Sequence, residues 1–98
     1  MYVVTVKFAI EAAHRERFLP AILANARASL ESEVGCKQFD VCVSPDDPCV
    51  VFLYELYDSL EAFQAHLSTR HFQEFEAAAA PWIRSKDVAI YERKSHNP

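Results

Sequence analysis

The sequence predicts an α+β fold of ferredoxin-like topology: a four-stranded antiparallel sheet with two helices on one face, in the order β-α-β-β-α-β. Two observations lead there. Apolar residues recur with a period of two in four short segments and with a helical period in two longer ones. The chain has 98 residues, 51% apolar and 24% charged, enough for one core and too few for two. A single domain over residues 1–94 is expected, with 95–98 (SHNP) as a frayed tail.

The first strand is read over residues 2–9, where Tyr2, Val4, Val6 and Phe8 share a face. From Ala12 to Val34 the pattern turns helical, with Phe18, Ile22, Leu23, Ala26 and Leu30 on the apolar stripe. Pro20 removes one backbone bond inside this helix, so a kink is expected there. Gly35, the only glycine, falls where a helix-terminating left-handed residue belongs. Residues 36–44 alternate again, with Phe39, Val41 and Val43 on one side and Cys36, Gln38, Asp40 and Cys42 on the other. The SPDDP segment at 44–48 is a turn, which makes residues 49–57 (CVVFLYELY) the second arm of a hairpin. Asp58, with Glu61 three residues on, reads as the N-cap of a second helix that ends before Pro81. The last strand is read over 86–94.

The third strand carries apolar side chains on both faces: Val50, Phe52, Tyr54 and Leu56 on one, Val51, Leu53 and Tyr57 on the other. Two helices cover one face of such a sheet, so the other needs a different cover. A second copy of the chain supplies it, and a homodimer packed through its sheet faces as an α+β barrel is expected. The net charge of -4 and scattered Lys and Arg residues argue against a nucleic-acid or anionic-membrane surface. No apolar run approaches the roughly 20 residues of a membrane span. The three cysteines form no CxxC pair and read as reduced thiols of a cytoplasmic protein, although Cys42 and Cys49 flank the hairpin turn.

Polar residues on apolar faces are the candidates for chemistry. In the second helix, Leu60, Phe63 and Leu67 cluster on one side, whereas Phe72, Phe75, Ala79 and Trp82 cluster roughly 120° away. One straight rod cannot bury both sets, so the helix must break at Ser68-Thr69, both good N-cap residues. His66 and His71 flank that break. Five positions apart, they would diverge on an unbroken helix and can converge on a broken one. The HxxxxH spacing offers no third ligand at a familiar distance, so no metal is expected; each histidine could act as a base or be an ordinary solvated or packed side chain. Asn25 and Ser29 fall within roughly 60° of Ile22 on the first helix, either bonded to the sheet or forming a polar wall. Glu55 is the lone charge of its strand; it could pair with Lys37 across the hairpin or with a residue of a partner subunit, or stand unpaired with a raised pKa. Asp40 is a candidate of the same rank. A single glycine leaves no Gly-rich phosphate or dinucleotide cradle.

The segments EVGCKQFDV (33–41) and FLYELYDSLEAFQAHLSTRHFQEF (52–75) resemble those of the antibiotic biosynthesis monooxygenase (ABM) domain. That family shows a helix ending E-x-G-C, then Y-E-x-Y-x-x-x-x-A-F-x-x-H, then H-F. The resemblance covers roughly residues 1–94 and implies a dimeric α+β barrel without a cofactor. It places Asn25, His66 and His71 among cavity-lining polar positions, and Tyr54 and Glu55 at the Y-E pair. Haem-degrading relatives carry a Trp near the start of the second helix; here only Trp82 exists, near its end, which argues against haem. Where T-P-H is usual this chain has T-R-H, and Arg70 either reaches an anionic substrate or is solvated. The implied activity is cofactor-independent oxidation of a small quinol, phenol or enolisable substrate, near the quinol monooxygenase and autoinducer-2 branch. His66 or His71 would be the base, with Asn25, Ser29, Tyr54, Glu55, Asp40 and Arg70 about the substrate. The alternatives are isomerisation of a phosphorylated hydroxy-diketone and non-catalytic binding of a small ligand by the dimer.

Overall fold

The computed structural model describes residues 1–96; Asn97 and Pro98, the end of the expected tail, lie outside the described residues. Seven principal elements follow the expected order: β1 (Tyr2–Ile10), α1 (Arg15–Ser32), β2 (Cys36–Val43), β3 (Val50–Tyr57), α2 (Leu60–Leu67), α3 (Arg70–Ala79) and β4 (Ile83–Glu92). Short 3-10 turns at Ala12–His14 and Ala80–Trp82 lead into α1 and out of α3. The strands form one antiparallel sheet in the order β2-β3-β1-β4, so the two most apolar strands, β1 and β3, lie at its centre. Phe8, Ile10, Phe18, Ile22, Leu53 and Tyr57 form the middle of the core between this sheet and the helices. Among the described residues no helix is long and apolar enough to cross a membrane.

The expected break in the second helix is present. α2 ends at Leu67, and Thr69 caps α3 by accepting a hydrogen bond from the Phe72 amide at 3.2 Å. The same hydroxyl donates to the His66 carbonyl at 2.7 Å, so one side chain ends one helix and starts the next. The new phase lets α3 turn Phe72 and Phe75 towards the cavity that Phe63 also lines.

Several local expectations need correction. The cap of α2 is Ser59, whose Oγ accepts from the Ala62 amide at 3.1 Å; Asp58 instead faces Lys37 at 3.7 Å. Gly35 has no positive φ. Its lack of a side chain serves a close approach, since a Cβ there would lie 2.5 Å from the Ala62 Cβ. A register shift between Cys36 and Gln38 puts Cys36 in the buried cluster with Phe39, against the simple alternation of the strand. α1 starts at Arg15, after a 3-10 turn, rather than at Ala12, and includes Pro20. β4 starts three residues before the expected boundary, directly after the turn that Pro81 opens. Cys36, Cys42 and Cys49 are all free thiols.

Candidate functional site

The polar residues of the helix layer meet at one point because α1 carries them on a single row. Asn25, Ser29 and Glu33 follow one another at intervals of four residues, the repeat of one helix face. Ser29 is fully buried, and Glu33 caps the C-terminus of α1. His66, next to last in α2, and His71, second in α3, approach this row from either side of the helix break.

Glu33 joins them. The Nδ1–H of His66 donates to the Glu33 carboxylate, 3.0 Å from each oxygen, and the Nε2–H of His71 donates to Oε2 at 2.6 Å. The Ser29 Oγ lies 3.4 Å from His66 Nδ1 and 3.2 Å from His71 Nε2. Burial alone would raise the Glu33 pKa, but hydrogen bonds from His66 and Ser29, with the positive charge His66 can carry, outweigh it and hold the carboxyl below its ordinary value. Burial drives His66 the other way, below the ordinary imidazole value; the hydrogen bond and charge of Glu33 oppose this without overcoming it. The consequence is a defined protonation pattern at neutral pH. Glu33 is an acceptor only, so the single proton of neutral His66 sits on Nδ1 and leaves Nε2 bare.

The imidazole of His66 is 2% exposed and packs among Phe72, Tyr57, Phe39 and Phe63, with ring centroids 4.9, 5.4, 6.0 and 6.1 Å away. It forms part of the wall of a cavity of about 400 Å³ between the sheet and the helices. The remaining wall is largely apolar, with Asn25, Glu55, Glu76 and Lys86 as its other polar residues. Asn25 is buried, and among the described residues its Oδ1 has no hydrogen-bond partner, an uncommon state for a buried amide. Glu55 accepts one hydrogen bond, from the Tyr57 hydroxyl at 2.6 Å, and burial pushes its carboxyl up to about 7. His71 stands behind His66, outside this cavity, in a shallow depression with Asn25 and Glu74.

Not every residue singled out from sequence is at this cavity. Tyr54 pairs with Thr5 and Asp40 in register, which puts all three on the sheet face away from the helices. Arg70 is 91% exposed and pairs with Glu74 at 2.7 Å, one helical turn on. Glu55 bonds Tyr57 rather than Lys37. Glu33 is not among the residues the sequence singles out, although its place four residues beyond Ser29 continues the polar row of α1. It also supplies the third donor that the histidine spacing lacked.

Sheet, broken helix and carboxylate-bound imidazole define a small α+β domain with an imidazole-lined cavity on its helical side. The chain belongs to the antibiotic biosynthesis monooxygenase (ABM) family, whose model matches residues 1–78. A solved structure of a Nitrosomonas europaea protein, provisionally named an antibiotic biosynthesis monooxygenase, is 30% identical, with a TM-score of 0.93 over 97% of this chain and 100% of that one. A similarly named protein from Deinococcus radiodurans is 19% identical, with a TM-score of 0.90 over 100% and 97% of the two chains. A third, from Chloroflexus aurantiacus, is 22% identical, with a TM-score of 0.85 over 99% and 96%. At the last two identities the likeness is one of fold. A comparison with curated proteins found no match.

Proposed function

We propose that the protein is a cofactor-independent monooxygenase of small quinols, phenols or other enolisable substrates, with His66 as its general base. The observation that carries this reading is the Glu33–His66 pair. A carboxylate fixes the imidazole proton on Nδ1 and leaves an unprotonated nitrogen on a ring that lines a mostly apolar cavity. His66 takes the proton of a substrate hydroxyl, giving an electron-rich phenolate or enolate whose carbon can bond to oxygen. The substrate supplies the electrons. One oxygen atom becomes the new hydroxyl of a hydroxyquinone, whose carbonyls come from the quinol's own hydroxyls, and the other leaves as water, so one quinol and one O₂ are consumed without an external reductant. The unpartnered Oδ1 of Asn25 suits a substrate O–H donor, and Glu55 and Ser29 support the cavity wall from the sheet and from α1.

The same reading takes residues 1–94 as one domain acting as a cytoplasmic homodimer. Support for the dimer comes from the sheet face opposite the helices, where Val50, Phe52, Tyr54 and Leu56 share a side that no helix of the chain covers. A light-scattering mass of one chain at micromolar concentration would contradict the dimer. A second reading, isomerisation of a phosphorylated hydroxy-diketone by the same base, is favoured by one observation: Lys86 puts a cation in the cavity wall. Oxygen uptake separates the two. A panel of quinols and phenols is expected to draw one O₂ per substrate, whereas turnover of a hydroxy-diketone without oxygen would select the isomerase.

A further inference from the structure

We propose that Glu33, His66 and His71 form a binding site for one divalent cation of the zinc class, and that the ion and the base function of His66 exclude one another. One ligand atom from each residue lies within 4.8 Å of the other two. Zinc holds imidazole nitrogen and carboxylate oxygen at about 2.0–2.2 Å, which sets tetrahedral ligands roughly 3.3 Å apart. The observed separations from Glu33, 3.0 Å to His66 and 2.6 Å to His71, need to widen by less than about 1 Å to reach that spacing. Two imidazoles and a carboxylate make a donor set suited to borderline cations rather than to magnesium or calcium.

The base function does not account for this arrangement. Fixing the His66 proton takes one carboxylate and one imidazole, yet His71 makes the shortest contact to Glu33 and lines no part of the main cavity. As a third ligand it has a use. The three residues come from the end of α1, the end of α2 and the first turn of α3, so the set exists only in the folded chain. His71 is 22% exposed, which gives an ion a way in and leaves room for water as a fourth ligand. The Ser29 hydroxyl stands beside both ligating nitrogens, placed to bond that water.

Binding would reverse the tautomer of His66. With the ion on Nδ1, the single proton of the neutral ring moves to Nε2, and that nitrogen changes from acceptor to donor. No proton is gained or lost by the ring in this exchange. The exclusion rests on the base assignment proposed above; the site itself does not.

The test uses the chelator-treated full chain, titrated with Zn²⁺ by calorimetry and with Co²⁺ by visible absorbance. One ion per chain is expected, with the intense visible bands of a tetrahedral Co²⁺ site and no saturable Mg²⁺ binding. Glu33→Gln and His71→Ala should each weaken binding by more than about tenfold, whereas replacing the remaining histidines, His14 and His96, should leave it unchanged. Far-UV circular dichroism without metal checks that each variant is folded, and His71→Asn provides a replacement if His71→Ala is not. Absence of one-equivalent binding overturns the site, as does binding that survives Glu33→Gln and His71→Asn combined. Tight binding that leaves oxygen uptake unchanged overturns the exclusion alone. A chain that turns over no substrate but binds one ion keeps the site and refutes the base.

Discussion

Two polar groups share the space beneath the helices, and they are built in opposite ways. Around Glu33 every member has a partner: both imidazoles meet the carboxylate, and a serine hydroxyl stands beside all three. Across the same cavity, among the described residues the Asn25 Oδ1 of α1 has no partner and Glu55 of β3 has a single donor. Buried polar groups that are fully bonded hold one geometry, whereas under-bonded ones wait for something from outside. The contrast separates a fully bonded cluster from an under-bonded one, which is the part the proposed function assigns to the substrate. The sheet repeats it. β2 and β3 are covered by helices, but Val88 and Ile90 of β4, on the same side as Val6 and Val4, are 53% and 46% exposed, so the β4 side is the open one.

Breaking the bonded cluster should have the largest effect. His66→Ala is expected to lower turnover by about 10²–10⁴-fold, the range for a lost general base; oxygen uptake at saturating substrate reads it, and full activity would remove His66 from that role. Next comes Glu55, which probes the under-bonded group through pH. Its carboxyl rises from 4.5 to about 7 on folding, so the folded chain binds this proton more tightly than the unfolded one. The stability it contributes is complete below about pH 4.5 and is lost as the pH climbs through about 7, a fall of about 3 kcal/mol. Denaturation at pH 5 and pH 8 should show that slope reduced in Glu55→Gln, and an unchanged slope would assign it to other groups.

Glu33→Gln keeps the shape and removes the charge. Its amide oxygen, placed where Oε2 sits, can still accept from both imidazoles but without the charge, so a stability loss of about 2 kcal/mol is expected as two charge-assisted bonds become neutral ones. The bound proton of His66, followed by its ring ¹⁵N shifts, should no longer stay on Nδ1. Smallest is Asn25→Leu. Replacing an unpartnered buried amide with an apolar side chain of similar size should stabilise the chain by about 1 kcal/mol while weakening substrate binding. Destabilisation would mean that Asn25 is bonded in solution and that the contrast between the two groups is false.

Much of this was readable in advance because it depends on periodicity. The mismatch of the Phe63 and Phe72 faces demanded a helix break, and the break brings His66 and His71 together. Asn25 and Ser29 were visible as polar residues on an apolar stripe. Glu33 was not read as the next member of that row, because a carboxylate at a helix end is ordinarily solvated. The burial of Cys36 was hidden because alternation assumes an unbroken ladder, and the register shift between Cys36 and Gln38 violates it. Tyr54 was placed at the site from its neighbour Glu55 in the Y-E pair, yet adjacent strand residues face opposite ways.

The contact between Gly35 and Ala62 has a consequence for tolerance. Gly35 lies two residues beyond Glu33, and Ala62 lies one helical turn before His66. The point where backbone meets methyl therefore sets the spacing between the carboxylate and the imidazole, much as a shim sets the gap between two machined parts. A single added methyl at position 35 would force the two supports apart and detune the pair without touching either member.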